Sequence, residues 1–185
     1  MQTYSEVESP FVFEGAVLKA RARPVLRRLP CLVGQPIRIH QHPGLRDRHG
    51  PVHAGAFLRE RRIAFDCRAR EFARIFTHEV FHFVWLRLGN ARRRSYEALV
   101  RREIAVGARG ELGWPSEYRK RDLRDGDAGR RSRRWREYCC ESFCDSAAWL
   151  YSGVRRHEEF TLSGRYSAGR RGWFAKLTEL GHLSI

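Results

Sequence analysis

The chain has 185 residues, 42% of them hydrophobic and 12% aromatic, and a formal net charge of +15 at pH 7. That length suits one domain over residues 1–185 with a core large enough to dispense with disulfide staples, and the composition excludes a disordered or low-complexity chain. The charge is carried by arginine, with lysine only at Lys19, Lys120 and Lys176.

An arginine excess fits phosphate contacts to nucleic acid or the codon bias of a GC-rich genome. The arginines run along the whole chain without a basic tail, and no aromatic stacking motif interleaves them, so codon bias is the favoured reading. Cys31, Cys67, Cys139, Cys140 and Cys144 are odd in number, and three crowd together. That is a pattern for a reducing compartment, not a secreted disulfide framework. The first residues, MQTYSEVESPFVFEG, lack a basic and an apolar signal region, and no stretch is long and apolar enough for a membrane span. A cytoplasmic location without membrane contact is expected.

In chain order, residues 1–10 read as a frayed end. Glu14–Leu29 has helical periodicity, interrupted at Pro24, where a helix should kink or end. Pro36–Gln41 alternates as a short strand through Ile37 and Ile39, and His42–Gly50 reads as loop. His53–Leu58 and Arg62–Asp66 read as two strands joined at Arg59–Arg61. Arg70–Gly89 is the strongest helix, with Gly89 as its stop, and Tyr96–Val106 is another. Gly107–Arg134, rich in glycine and charge and holding Pro115, reads as a long surface excursion with Asp122–Arg134 its candidate mobile part. Trp135–Tyr151 is a second strong helix, and Gly172–Leu183 closes the chain as a short amphipathic one. The core is expected over about residues 37–153.

Inside the first strong helix stands His78-Glu79-Val80-Phe81-His82. Four residues advance a helix about 40° beyond a full turn, so His78 and His82 project side by side. They can take adjacent corners of a zinc tetrahedron, with Glu79 placed to accept a proton from zinc-activated water. Phe72, Phe76, Val80, Phe83 and Val84 make one broad face apolar, so the helix is expected to be buried. Imidazoles and a carboxylate there need partners.

A catalytic zinc needs a third protein ligand. The extension H-E-x-x-H-x-x-G-x-x-H fails, because Trp85 and Leu88 stand where glycine and histidine are required. Glu141 and Asp145, on the second strong helix, share a stripe with Tyr138, Ala148 and Ser152, opposite Cys140, Phe143, Cys144, Ala147 and Leu150. Zinc chemistry then assigns Glu141 to the metal, and Asp145 to the second N–H of a ligating histidine. A thiolate site at Cys139, Cys140 and Cys144, or a thiol masking the zinc, are lesser alternatives beside buried free thiols. His157, Arg165, Tyr151 and Tyr166 all offer a donor for the oxyanion, and spacing does not choose among them. His40, His42, His49 and His53 read as exposed loop histidines.

These two helices, in this order, resemble gluzincin-type zinc metallopeptidases. More narrowly, His53–Leu58, Arg62–Asp66 and the Phe76–His82 segment resemble the order in ImmA/IrrE-type peptidases, in which a hairpin leads into the H-E-x-x-H helix. Val80 and Phe81 stand where that family usually has small residues. The resemblance covers about Val52–Tyr151. It implies His78, His82 and Glu141 on zinc, Glu79 as base, Asp145 behind a histidine, and a strand edge that pairs with an extended peptide substrate.

The expected protein is thus α+β and zincin-like, with a small, mostly antiparallel sheet packed on the His78–His82 helix. The expected function is a zinc-dependent peptidase, a hydrolase. The rivals are an arginine-rich nucleic-acid-binding protein with structural histidines, and a zinc-binding pseudo-peptidase serving as an interaction module.

Overall fold

The computed structural model describes residues 9–47, 50–179 and 181–185. The expectation of a frayed end falls mostly on residues 1–8, outside the described residues. Pro10 already accepts a backbone bond from Ile37 N.

The chain runs β1 (Phe11–Phe13), α1 (Ala16–Leu26), β2 (Leu32–Val33), β3 (Ile37–Gln41), β4 (Arg46–Asp47), β5 (Gly50–Pro51), β6 (Ala54–Phe57) and β7 (Arg62–Phe65). Helices follow: α2 (Ala69–Arg87), α3 (Asn90–Ala105), α4 (Trp114–Arg121), α5 (Asp127–Arg130), α6 (Arg133–Tyr151) and α7 (Gly164–Thr178), before β8 (Leu183–Ser184). The architecture is mixed, with small sheets and a helical body, in keeping with α+β.

The principal sheet has the order β1-β3-β7-β6. The expectation of a mostly antiparallel sheet is wrong: β1 pairs parallel to β3 and β3 parallel to β7, and only the β6–β7 hairpin is antiparallel. For β1 and β3 the cause is α1, which carries the chain back over the sheet between them, the crossover that parallel strands require. β7 runs parallel to β3 because β6 first runs back along the outer edge and the hairpin then turns inward. Ile37 and Ile39 point inward on either side of exposed Arg38, the period-2 pattern of a half-buried strand. Pro24 sits in the last turn of α1, which stops two residues later.

α2 fills the centre. Its Phe72 and Phe76 stack with centroids 5.5 Å apart, against Phe11 and Phe65 of the sheet. Its other side meets α6, where Phe81 and Trp85 pack on Phe143. The core extends beyond residues 37–153 at both ends, since Leu18, Ala22, Val25, Phe174, Leu177, Leu183 and Ile185 join it.

Residues 107–134 are not a loose excursion. Pro115 occupies the first turn of α4, a position that suits its missing N–H, and α4 packs along α6. Within 122–134, buried Asp127 accepts from Arg124 N at 2.9 Å and Arg134 Nε at 3.0 Å, and Arg131 forks onto Glu97 at 2.7 and 2.8 Å. The last helix also differs from expectation, because α7 begins at Gly164, and Leu183–Ser184 pairs in parallel with β2. Gly164, Gly169 and Gly172 lower its intrinsic helix preference, and tertiary packing supplies what propensity does not.

Candidate metal centre

The burial of α2 sets the problem that α6 solves. His78 and Glu79 are buried, and His82 is nearly so. Four-residue spacing brings the two rings together with centroids 4.9 Å apart and the Nε2 atoms 3.2 Å apart. α6 crosses alongside and places Glu141 Oε2 at 3.2 Å from His78 Nε2 and 3.8 Å from His82 Nε2. A tetrahedral zinc with bonds of about 2.0–2.1 Å has ligand–ligand edges of about 3.3 Å. The triangle of two nitrogens and one oxygen therefore has the size that such an ion needs.

Electrostatics points the same way. Burial works against the charged form of His78, but Asp145 and then Glu141 raise its pKa well above the usual value. Burial likewise opposes charge on His82, yet Glu141 and then Cys140 lift it to about 9. Burial would raise Glu141, and the two histidines outweigh it and hold the carboxyl at about 2. The Glu141 carboxylate and the two imidazoles are thus electrostatically linked.

Asp145 is where the sequence placed it, one turn beyond Glu141. Its Oδ1 accepts the Nδ1–H of His78 at 2.7 Å, which turns His78 Nε2 toward Glu141. Its Oδ2 accepts from Ser116 N at 2.9 Å. Gly113 makes this approach possible, because a Cβ there would lie 2.3 Å from the Asp145 carboxyl. Asn at 145 would offer only one acceptor oxygen to two N–H groups. Asp145→Asn is therefore expected to weaken zinc binding about 10- to 100-fold, read by competition with a chromophoric chelator; unchanged affinity would remove Asp145 from the site.

The thiols are arranged otherwise than expected. Cys140 and Cys144 do not lie on the side of α6 away from the carboxylates' work, because α6 is buried on several faces. Cys140 Sγ stands 3.4 Å from His82 Nδ1. Cys144 forms with His78 and His82 a second set of donors whose ligand atoms lie within 4.8 Å of one another. Glu141 lies within 3.8 Å of both histidines and its carboxyl is held ionised, whereas burial pushes the Cys144 thiol up.

A cleft of about 370 Å³ opens over His78 and Glu79. One wall is Pro51–Ala54 and the other is Trp114, Pro115 and Tyr118 of α4, with Arg74 and Glu159 also lining it. Arg74 forks onto Glu159 at 2.8 and 2.9 Å, and Glu159 also accepts from Trp114 N, so the start of α4 is tied to α2. β6 forms the outer edge of the sheet.

None of the four expected oxyanion donors lines this cleft. His157 bonds Glu71 at 3.2 Å, Tyr151 stacks on Phe81, and Arg165 lies over Tyr166. Tyr118 and His53 do line it. Of the other expected loop histidines, His40 and His42 pack edge to face, and His49 lies outside the described residues. The sequence signal that could have found Tyr118 was Pro115, read as a breaker when it was a helix start.

Comparisons with protein-family models, with curated proteins and with solved structures find no match to this chain.

Proposed function

We propose that the chain is a zinc-dependent metallopeptidase of gluzincin type. The observation that carries this is the convergence of His78 Nε2, His82 Nε2 and Glu141 Oε2 at zinc-tetrahedron spacing, with Glu79 beside them in an open cleft. The order of hairpin, His78–His82 helix and Glu141 helix supports the narrower likeness to ImmA/IrrE-type peptidases. Five free cysteines suit a cytoplasmic setting, and no helix among the described residues is long and apolar enough to cross a membrane.

His78, His82 and Glu141 would hold the ion, which when bound acts as a Lewis acid and makes water a nucleophile at neutral pH. The protein supplies the rest. The outer edge of β6 offers unpaired backbone groups to an extended peptide and lays its carbonyl across the cleft. Glu79 takes the proton from the attacking water and passes it to the leaving amine. Asp145 keeps His78 in the tautomer that leaves Nε2 free, and the Trp114–Tyr118 wall limits access of bulk water.

The test is cleavage of casein by zinc-loaded protein. Cleavage should stop with a zinc chelator and return on adding zinc; protein that holds zinc and leaves casein intact would contradict the peptidase reading and favour the pseudo-peptidase.

Metal binding should also depend on pH. Both histidines have raised pKa values, His82 about 9, and zinc must displace the proton from Nε2. The apparent affinity is therefore expected to rise with pH up to about 9, roughly tenfold per unit for each proton released. Calorimetry in buffers of different ionisation enthalpy reads the proton release directly; pH-independent affinity would contradict it.

A further inference from the structure

Away from the cleft, α3 presents a face with a distinct charge pattern. Arg92, Arg94, Arg101 and Arg102 are exposed, and none forms an ion pair among the described residues. Both acids of the helix are turned inward and neutralised: Glu97 by Arg131 at 2.7 Å, and Glu103 by buried Arg170 at 2.8 Å. The outward face of α3 is thus cationic with no acidic group on it.

The residues between those arginines are small. Ala91, Ala98 and Ala105, seven residues apart, form an exposed ridge. At about 100° per residue, Arg94 and Arg101 fall on one side of Ala98 and Arg102 on the other, with Arg92 farther round on that second side. Ser95 lies there too, and its Oγ accepts the Trp173 Nε1–H at 3.1 Å. Each side borders a shallow cleft. One, of about 450 Å³, runs along Arg92, Ser95, Ala98 and Arg102 to Trp173 and Lys176 of α7. The other, of about 220 Å³, runs along Arg94, Ala98 and Arg101 to Arg131.

We infer that the exposed face of α3 is a docking surface for duplex DNA, read through its phosphates and not its sequence. A helix is about 10–12 Å across with its side chains, and the B-form major groove is about 12 Å wide. A ridge of alanine can enter that groove, while arginines on each side of it meet the phosphates of each strand. Guanidinium forks suit phosphate oxygens. An anionic membrane fits less well, because the face carries no large exposed apolar side chain between Arg92 and Arg102. A-form RNA fits less well because its major groove is deep and narrow. The surface shares no residue with the cleft over His78 and Glu79, so it is independent of the peptidase reading.

The test is fluorescence anisotropy with a labelled duplex DNA of about 24 base pairs. Four phosphate contacts give a salt slope near −3.6, so affinity should fall about 100-fold between about 50 and 200 mM salt. Replacing Arg92, Arg94, Arg101 and Arg102 by Gln should lower affinity by about two orders of magnitude at the lower salt and flatten most of that slope. Replacing Arg23, Arg38, Arg59 and Arg155 by Gln removes the same charge from four separate places outside α3 and should change affinity less than about threefold. Ala98→Glu, a single change on the ridge, should weaken binding about tenfold or more, which keeps the test open if the fourfold variant is poorly folded. Equal losses in the two fourfold variants would overturn the inference, as would tighter binding to phosphatidylserine vesicles or duplex RNA than to DNA.

Discussion

Glu79→Gln is expected to leave zinc bound and to lower peptide cleavage by about 10²- to 10⁴-fold, the range in which a general base acts. The side chain is almost the same size, so α2 keeps its packing against β6 and α6. Glutamine cannot accept the proton from the attacking water, which is the one function assigned to residue 79. The residue lies next to His78 and lines the cleft, but its carboxyl is not part of the triangle formed by His78, His82 and Glu141. Metal content and turnover should therefore separate in this variant. Zinc analysis alongside casein hydrolysis checks it: full cleavage by the variant would remove Glu79 as the base, and loss of zinc would place Glu79 among the ligands.

Arg170→Met should be the most damaging single change to the fold, at about 3–5 kcal/mol. Arg170 is fully buried, and its guanidinium meets Glu103 at 2.8 Å and Glu111 at 2.7 Å, both themselves buried. Glu111 also accepts from Tyr138 at 2.7 Å and pairs with Lys120 at 3.1 Å, while Ser146 Oγ joins Arg170 to Tyr96. One cation thus ties α3, α4, α6 and α7 together behind the face of α6 that carries Glu141 and Asp145. Removing it leaves carboxylates in a low-dielectric interior with part of their compensation gone. The loss is a large share of a typical total stability of about 5–15 kcal/mol. Urea unfolding measures it, and the neighbour supplies the control: Arg171 is exposed over Trp149, so Arg171→Met should cost less than about 1 kcal/mol. Similar unfolding midpoints for the two variants would contradict this role for Arg170.

The side-chain pairs of the candidate site were legible because helical spacing is local. His78 and His82 are four apart, as are Glu141 and Asp145, and a fixed rise and turn put each pair on one side of its helix. Which side of α6 would face α2 was not local. The stripe drawn from composition set Cys140 and Cys144 opposite the carboxylates, whereas close packing on several sides of α6 brings Cys140 to His82. Gly113 and Ser116 carried no signal either, since their service to Asp145 is a missing Cβ and a backbone N–H. The β6–β7 hairpin was readable from two adjacent runs. The parallel pairing of β1 with β3 depends on α1 crossing the sheet, that of β3 with β7 on β6 taking the outer edge, and strand propensity encodes neither direction. α7 was displaced because its glycines weaken the helix signal.

The central claim, a metal held by His78, His82 and Glu141, is tested most directly by zinc X-ray absorption on the purified protein. One zinc per chain is predicted, with nitrogen and oxygen ligands at about 2.0–2.1 Å and no sulfur shell. A sulfur shell near 2.3 Å would replace Glu141 with Cys144 or Cys140, and protein that takes up no zinc would contradict the metal centre itself.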